Sequence, residues 1–246
     1  VWESVADIDF VEVSSGAKIT FDDDQSGAYA GYSRSGGTTI SSNVNVSTDW
    51  ISSYGTKIGS YGFQTYVHEI GHALGLGHQG SYNGSATYGT DENFTNDSWQ
   101  LSVMSYFSQS ENTEITATYT EVVSAMAADI VAIQDLYGAA DSGSLTDGNT
   151  THGVGHTLGT SWLGQMYSAI NGTGYASSYD GNGFAITISD IGGYDTIDFS
   201  NDTVSQTVDL RSEGISNVYG RTGNMVIARE PPTKHRFCVG FTGVVS

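Results

Sequence analysis

The sequence predicts an α+β fold, and three observations carry that expectation. Short β-branched and aromatic runs fill the first 46 positions, two stretches between 63 and 137 space their apolar residues as helices do, and short β-type runs between Gly and Asn turns return from 139 to 228. In order, Asp9 to Val13 and Lys18 to Phe21 read as strands on either side of SSGA, and Thr38 to Val46 as a third. The opening VWESVADIDFVEV reads as the last turn of a helix entering the first of these, which implies residues upstream of Val1. Phe63, Val67, Ile70 and Leu74 share one face of a helix that Gly75 and Gly77 are placed to end. Ser81 to Ser98, rich in Gly, Asn and Thr, reads as a long surface loop. Val122, Met126, Ile130, Ile133 and Tyr137 recur at three- and four-residue steps, so a second helix is expected over Tyr119 to Tyr137, with Gly138 as its stop. The runs FAITISDIGGYDTIDF and TVSQTVDL predict a β-rich remainder without helices. A boundary near Gly138 to Ser144 then divides the chain into 1–138 and 139–230. Residues 231–246 form an atypical tail, because Pro231, Pro232, Cys238 and the cluster Lys234, His235 and Arg236 break the composition of the rest.

Composition excludes several classes of function. With 27 acidic residues against 8 basic ones and a formal charge of -19, nothing here neutralises a run of phosphates, so nucleic acid is not a partner. No apolar run approaches the roughly 18 residues of a membrane helix, and no targeting segment is visible. An acidic surface rich in Gly, Ser, Thr and Asn suits a secreted, extracellular protein, its charge serving either solubility or bound calcium. The single cysteine excludes an internal disulfide and a cysteine-based zinc site.

His68-Glu69-Ile70-Gly71-His72 is an HExxH run, and on a helix histidines at i and i+4 point to the same side, where both can reach one metal. The chain continues to Gly75 and His78, completing HExxHxxGxxH. A left-handed glycine at 75 turns the chain sharply enough to bring a third imidazole to the same ion. Three neutral histidines leave a fourth position for water, as in a catalytic zinc site, and Glu69 stands beside the metal as general base and then general acid. Asp190, Gly192, Gly193 and Asp195 interleave carboxylates with glycines, a pattern that suits either a hard cation or a plain turn between strands.

Ser102 to Tyr106 resembles the Met-turn beneath the zinc of metzincins, where Met104 supplies a soft apolar floor. Together, VHEIGHALGLGH, SVMSYF and DIVAIQDLYGA resemble the serralysin family of bacterial metalloproteases, from about Val1 to Ala228. The resemblance implies a zincin-like (metzincin) catalytic domain with a twisted mixed sheet and an active-site helix, followed by a truncated β-rich calcium-binding module. It implies a zinc endopeptidase with zinc on His68, His72 and His78, and with Tyr106 as a switchable extra ligand that stabilises the oxyanion. It implies calcium on Asp190, Gly192, Gly193 and Asp195, with Gly148 and Thr150 as the upstream half of that site. The family draws further calcium ligands from beyond the position of Ala228, where this chain reads REPPTKHRFCVGF, and no GGxGxD repeats follow. The first strand and most of the first helix of the family's catalytic domain have no counterpart, so part of the sheet is expected to be exposed.

The expected partners are extended peptides pairing with an edge strand near Ile40 to Val46, whose small polar side chains predict broad specificity, and a protein inhibitor. His152 and His156 lie in a Gly- and Thr-rich segment and read as solvated loop residues, and His235 has no assigned role. Two rival functions remain: a calcium-dependent binding or structural module without turnover, which the intact Glu69 opposes, and a zinc hydrolase of small amides, which a closed pocket would favour.

Overall fold

A computed structural model describes residues 1–36 and 38–228 and the backbone of 236–240. Strand β1 (Ile19–Asp22) runs parallel to β3 (Thr38–Val46), and β2 (Ala28–Ser35) runs antiparallel to β3 on its other side. Val44 and Val46 on β3 are fully buried and cluster with Ala73 of helix α2 (Tyr61–Ala73), while Ser42 Oγ donates to the Ala73 carbonyl at 2.8 Å. A short helix α1 (Thr48–Tyr54), capped by Ser47, links sheet to α2 and was not expected.

Three local expectations are corrected. β3 is the central strand of its sheet, so Ile40 to Val46 offers no free edge; among the described residues the two edges are β1 and β2. Asp9 to Val13 is not a strand, because no described strand pairs with it and Val11 stays 76% exposed. The second helix, α3 (Ala127–Tyr137), begins eight residues late. The segment before it is held extended: Val122 N–H donates to Gln64 Oε1 at 2.6 Å, and Val123 N–H to the Ala185 carbonyl at 2.9 Å. Tertiary pairing therefore overrides the helical spacing there.

The remainder is β-rich but not free of helix. Strands β4 (Thr151–Gly153), β6 (Tyr194–Asp198) and β9 (Arg236–Gly240) form a parallel sheet in the order β4–β6–β9. Strands β5 (Ile186–Ile188), β7 (Ile215–Ser216) and β8 (Met225–Ile227) form a mixed one in the order β5–β8–β7. Helix α4 (Trp162–Ile170) was missed, although Leu163, Met166 and Tyr167 are buried at helical spacing and Ser161 caps it. Apart from the backbone of β9, the unusual tail at 231–246, with His235, lies outside the described residues.

Two large cores meet at α2. One gathers Trp2, Val67, Met104, Ile130 and Ile133, the other Leu163, Tyr167, Phe184, Ile197 and Phe199, and Phe63 packs against both.

Candidate metal centre and active site

Helix α2 starts where Ser60 Oγ accepts the Phe63 N–H at 3.2 Å, and it carries His68 and His72 one turn apart, their ring centroids 4.6 Å from each other. Gly75 takes φ +109°, and the chain folds back so that the His78 ring centroid lies 4.5 Å from that of His72 and 5.4 Å from that of His68. One ligand atom from each histidine lies within 4.8 Å of the others.

Each Nδ1 faces a backbone carbonyl: His68 that of Val103 at 2.8 Å, His72 that of Leu76 at 2.9 Å and His78 that of Tyr82 at 2.9 Å. Those acceptors assign the single proton of each neutral imidazole to Nδ1 and leave a lone pair on Nε2. Nε2 of His72 and Nε2 of His78 stand 2.9 Å apart. Two lone pairs held face to face have no proton to share, and a cation relieves them; the donor set fits zinc. Burial, reinforced by neighbouring imidazoles, pushes His68 down to about 3 and His78 to about 4, and burial lowers His72 as well, so all three stay neutral.

Glu69 sits on the same helix, buried, and its burial pushes the carboxyl up to about 7 against the opposing pull of the Ala30 backbone N–H on β2. A cleft of 430 Å³ is lined by Glu69 and His68 beside Ala28 of the edge strand β2, with Tyr61, Trp99 and Tyr106 on its walls. A larger hollow of 580 Å³ between residues 1–9 and 141–145 holds no histidine. The Tyr106 ring lies 4.3 Å from that of His78, and its hydroxyl accepts the Gly84 N–H at 3.2 Å.

Met104 is buried beneath α2, so close that a side chain on Gly71 would meet its Sδ at 2.6 Å and Trp2 at 3.0 Å. The Met-turn is in turn gripped by Asp129 of α3, whose carboxylate accepts from Ser102 Oγ at 2.6 Å, Val103 N–H at 2.7 Å and Met126 N–H at 2.8 Å. Gln79 Nε2 donates to the same Ser102 Oγ at 2.9 Å. Gly71, Gln79, Tyr82 and Asp129 were not singled out by the sequence; an acidic residue three places into a helix, as Asp129 is, was the one local signal.

The six residues expected around calcium also come together. Thr150 N–H donates to Asp195 Oδ1 at 2.9 Å, Gly192 N–H to Asp190 Oδ1 at 3.0 Å, and a side chain on Gly193 would collide with the Gly148 carbonyl. Burial, with the nearby Asp195 carboxylate adding to it, pushes Asp190 up to about 7. His152 departs from expectation. His152 lies on β4, is 1% exposed and packs edge-on against Tyr167, so it is not a solvated loop residue; His156 stays in a loop, half-buried, with its Nε2 2.8 Å from Ser168 Oγ.

Among the described residues no helix is long and apolar enough to cross a membrane. Residues 1–102 match the Matrixin family model and residues 167–234 match that of the peptidase M10 serralysin C-terminal region. The metallopeptidase AprA of Pseudomonas marginalis is 32% identical over 250 residues, covering 96% of this chain and 49% of that protein. A serralysin of Photorhabdus luminescens is 33% identical over 93% of this chain and 46% of its own length, and serralysin C of Dickeya chrysanthemi 34% identical over 92% and 47%. The chain spans about half the length of these relatives. The zinc-binding spacing, the turn beneath it and the agreement of two consecutive family models converge: this chain belongs to the serralysin-type metzincin metalloproteases.

Proposed function

We propose that this protein is a secreted zinc endopeptidase, with His68, His72 and His78 holding zinc through Nε2 and Glu69 acting as the base. The observation that carries this reading is the pair of facing Nε2 lone pairs beside a buried carboxyl poised near neutral pH. When bound, zinc lowers the pKa of its water towards about 7 and polarises a peptide carbonyl. Glu69 takes the proton from the attacking water and delivers it to the departing amine, and no covalent intermediate forms. Tyr106 donates its hydroxyl hydrogen to the oxyanion. The substrate lies extended along β2, whose backbone pairs on one side only among the described residues, and this pairing, indifferent to side chains, favours broad specificity. Gly148, Thr150, Asp190, Gly192, Gly193 and Asp195 bind calcium and brace the second half of the chain.

Casein hydrolysis in the presence of calcium tests the reading. Cleavage should be lost in Glu69→Ala, lost on zinc chelation and restored by added zinc. Stoichiometric zinc binding with no cleavage by the wild type overturns it.

A further inference from the structure

Tyr82 lies outside the metal-binding pattern, yet it touches both groups that the hydrolytic reading needs on the far side of the metal. Its backbone carbonyl faces Nδ1 of His78 at 2.9 Å, and its ring stacks on the His78 ring at 27° with centroids 5.5 Å apart. Its ring also packs against that of Tyr106 at 4.9 Å, and its hydroxyl oxygen accepts the Tyr106 backbone N–H at 3.4 Å. That hydroxyl donates its own hydrogen to the carboxylate of Asp97, whose oxygens lie 3.0 and 3.2 Å away. Tyr82 and Asp97 are both buried, and Asn112 Nδ2 fixes the Asp97 backbone through its carbonyl at 2.9 Å.

We propose that Tyr82 is a positioning residue that holds His78 and Tyr106 in a fixed mutual placement, with Asp97 holding Tyr82. One ring stacked on Tyr82 and a second tilted against it are coupled through it. The phenol of Tyr106 is further held by the Gly84 N–H, two residues along the same loop, so the segment from 82 to 84 grips Tyr106 by its backbone and by its tip. Loss of the Tyr82 hydroxyl frees the Tyr106 backbone while leaving the carbonyl and the ring that support His78. Metal binding and the Tyr106 contribution are therefore separable at this one oxygen.

The inference rests on the peptidase reading for its kinetic consequence, but its structural half is independent. In metal-free protein, Tyr82→Phe should speed amide hydrogen exchange in the peptide spanning 104–107 about tenfold, with α2 unchanged. In zinc-loaded protein, Tyr82→Phe should lower kcat about tenfold, with KM and zinc affinity within twofold of wild type. In a Tyr106→Phe background the same substitution should change kcat less than twofold, because its target is already gone. Asp97→Asn keeps an acceptor for Tyr82 and should retain most of the activity. Unchanged exchange at 104–107 overturns the inference, as does an equal loss of kcat in both backgrounds. A wild type that never cleaves refutes the peptidase reading and leaves the exchange measurement to decide on Tyr82.

Discussion

Asp129 accepts the backbone N–H of Val103 at 2.7 Å, and the carbonyl of that same Val103 faces Nδ1 of His68 at 2.8 Å, so a carboxylate on α3 orients His68 on α2 through the backbone of one residue. Asp129→Ala should cost about 3 kcal/mol of stability, since it strands three buried donors that now share a charged acceptor. Zinc affinity should fall about tenfold to a hundredfold, as for other partners behind a ligand. Urea unfolding and zinc titration check the two effects together.

Gly71→Ala sets two opposing effects against each other. Helix propensity favours alanine by up to about 1 kcal/mol. The added methyl would lie 2.6 Å from Met104 Sδ and 3.0 Å from Trp2, both buried, at an expected cost of about 1 to 3 kcal/mol. The variant should be less stable than wild type by urea midpoint. Equal stability would mean that Met104 has room to move.

Zinc at about a thousand times its Kd should raise the unfolding free energy by about 4 kcal/mol in wild type. In His78→Ala most of that gain should vanish. Metal-free His78→Ala should lie within about 1 kcal/mol of metal-free wild type, because one of two opposed lone pairs is removed. Calorimetry with and without zinc separates the two states.

Acid should destabilise the protein through His152. Burial holds its imidazole down at about 4, against 6.5 when exposed. Below pH 6.5 the unfolded chain takes up a proton that the folded one refuses, so stability falls as pH drops from 6.5 to 4 and then levels. The loss is about 3 kcal/mol across that window. Because burial also holds His68 and His78 down over this window, His152→Leu should remove only its own share of the slope, read as the difference between variant and wild type in urea unfolding at each pH.

On the proposed calcium reading, calcium should raise the Tm of the wild type, and Asp190→Asn should abolish most of that gain. Tm measured with calcium and with chelator, in both proteins, reads it directly.

The metal centre was legible because its geometry is local: four residues set the spacing of His68 and His72, and one glycine returns His78. β3 was legible from its own pattern, whereas its place between β1 and β2 depended on pairings that no single strand encodes. The helical spacing at Val122 was real but lost to Gln64 and Ala185, which lie far away in the chain. Helix α4 shows the reverse, a visible pattern passed over because its surroundings read as β. Tyr82 and Asp129 matter through side-chain oxygens that accept backbone N–H groups 24 and 26 residues away, and their own stretches of sequence say little about those partners.

If the protein is the broad-specificity peptidase proposed above, its own loops are candidate substrates. The long loop at 81–98 is the natural victim, yet it is laced shut: Tyr88 Oη donates to the Thr95 carbonyl at 2.7 Å, Asn112 Nδ2 to the same carbonyl at 3.0 Å, and Thr87 N–H to Asp91 Oδ2 at 2.7 Å. Straightening this loop to lie along β2 of a second molecule would break these bonds, so on the peptidase reading the same lacing that frames the three histidines should slow cleavage of the loop by other copies.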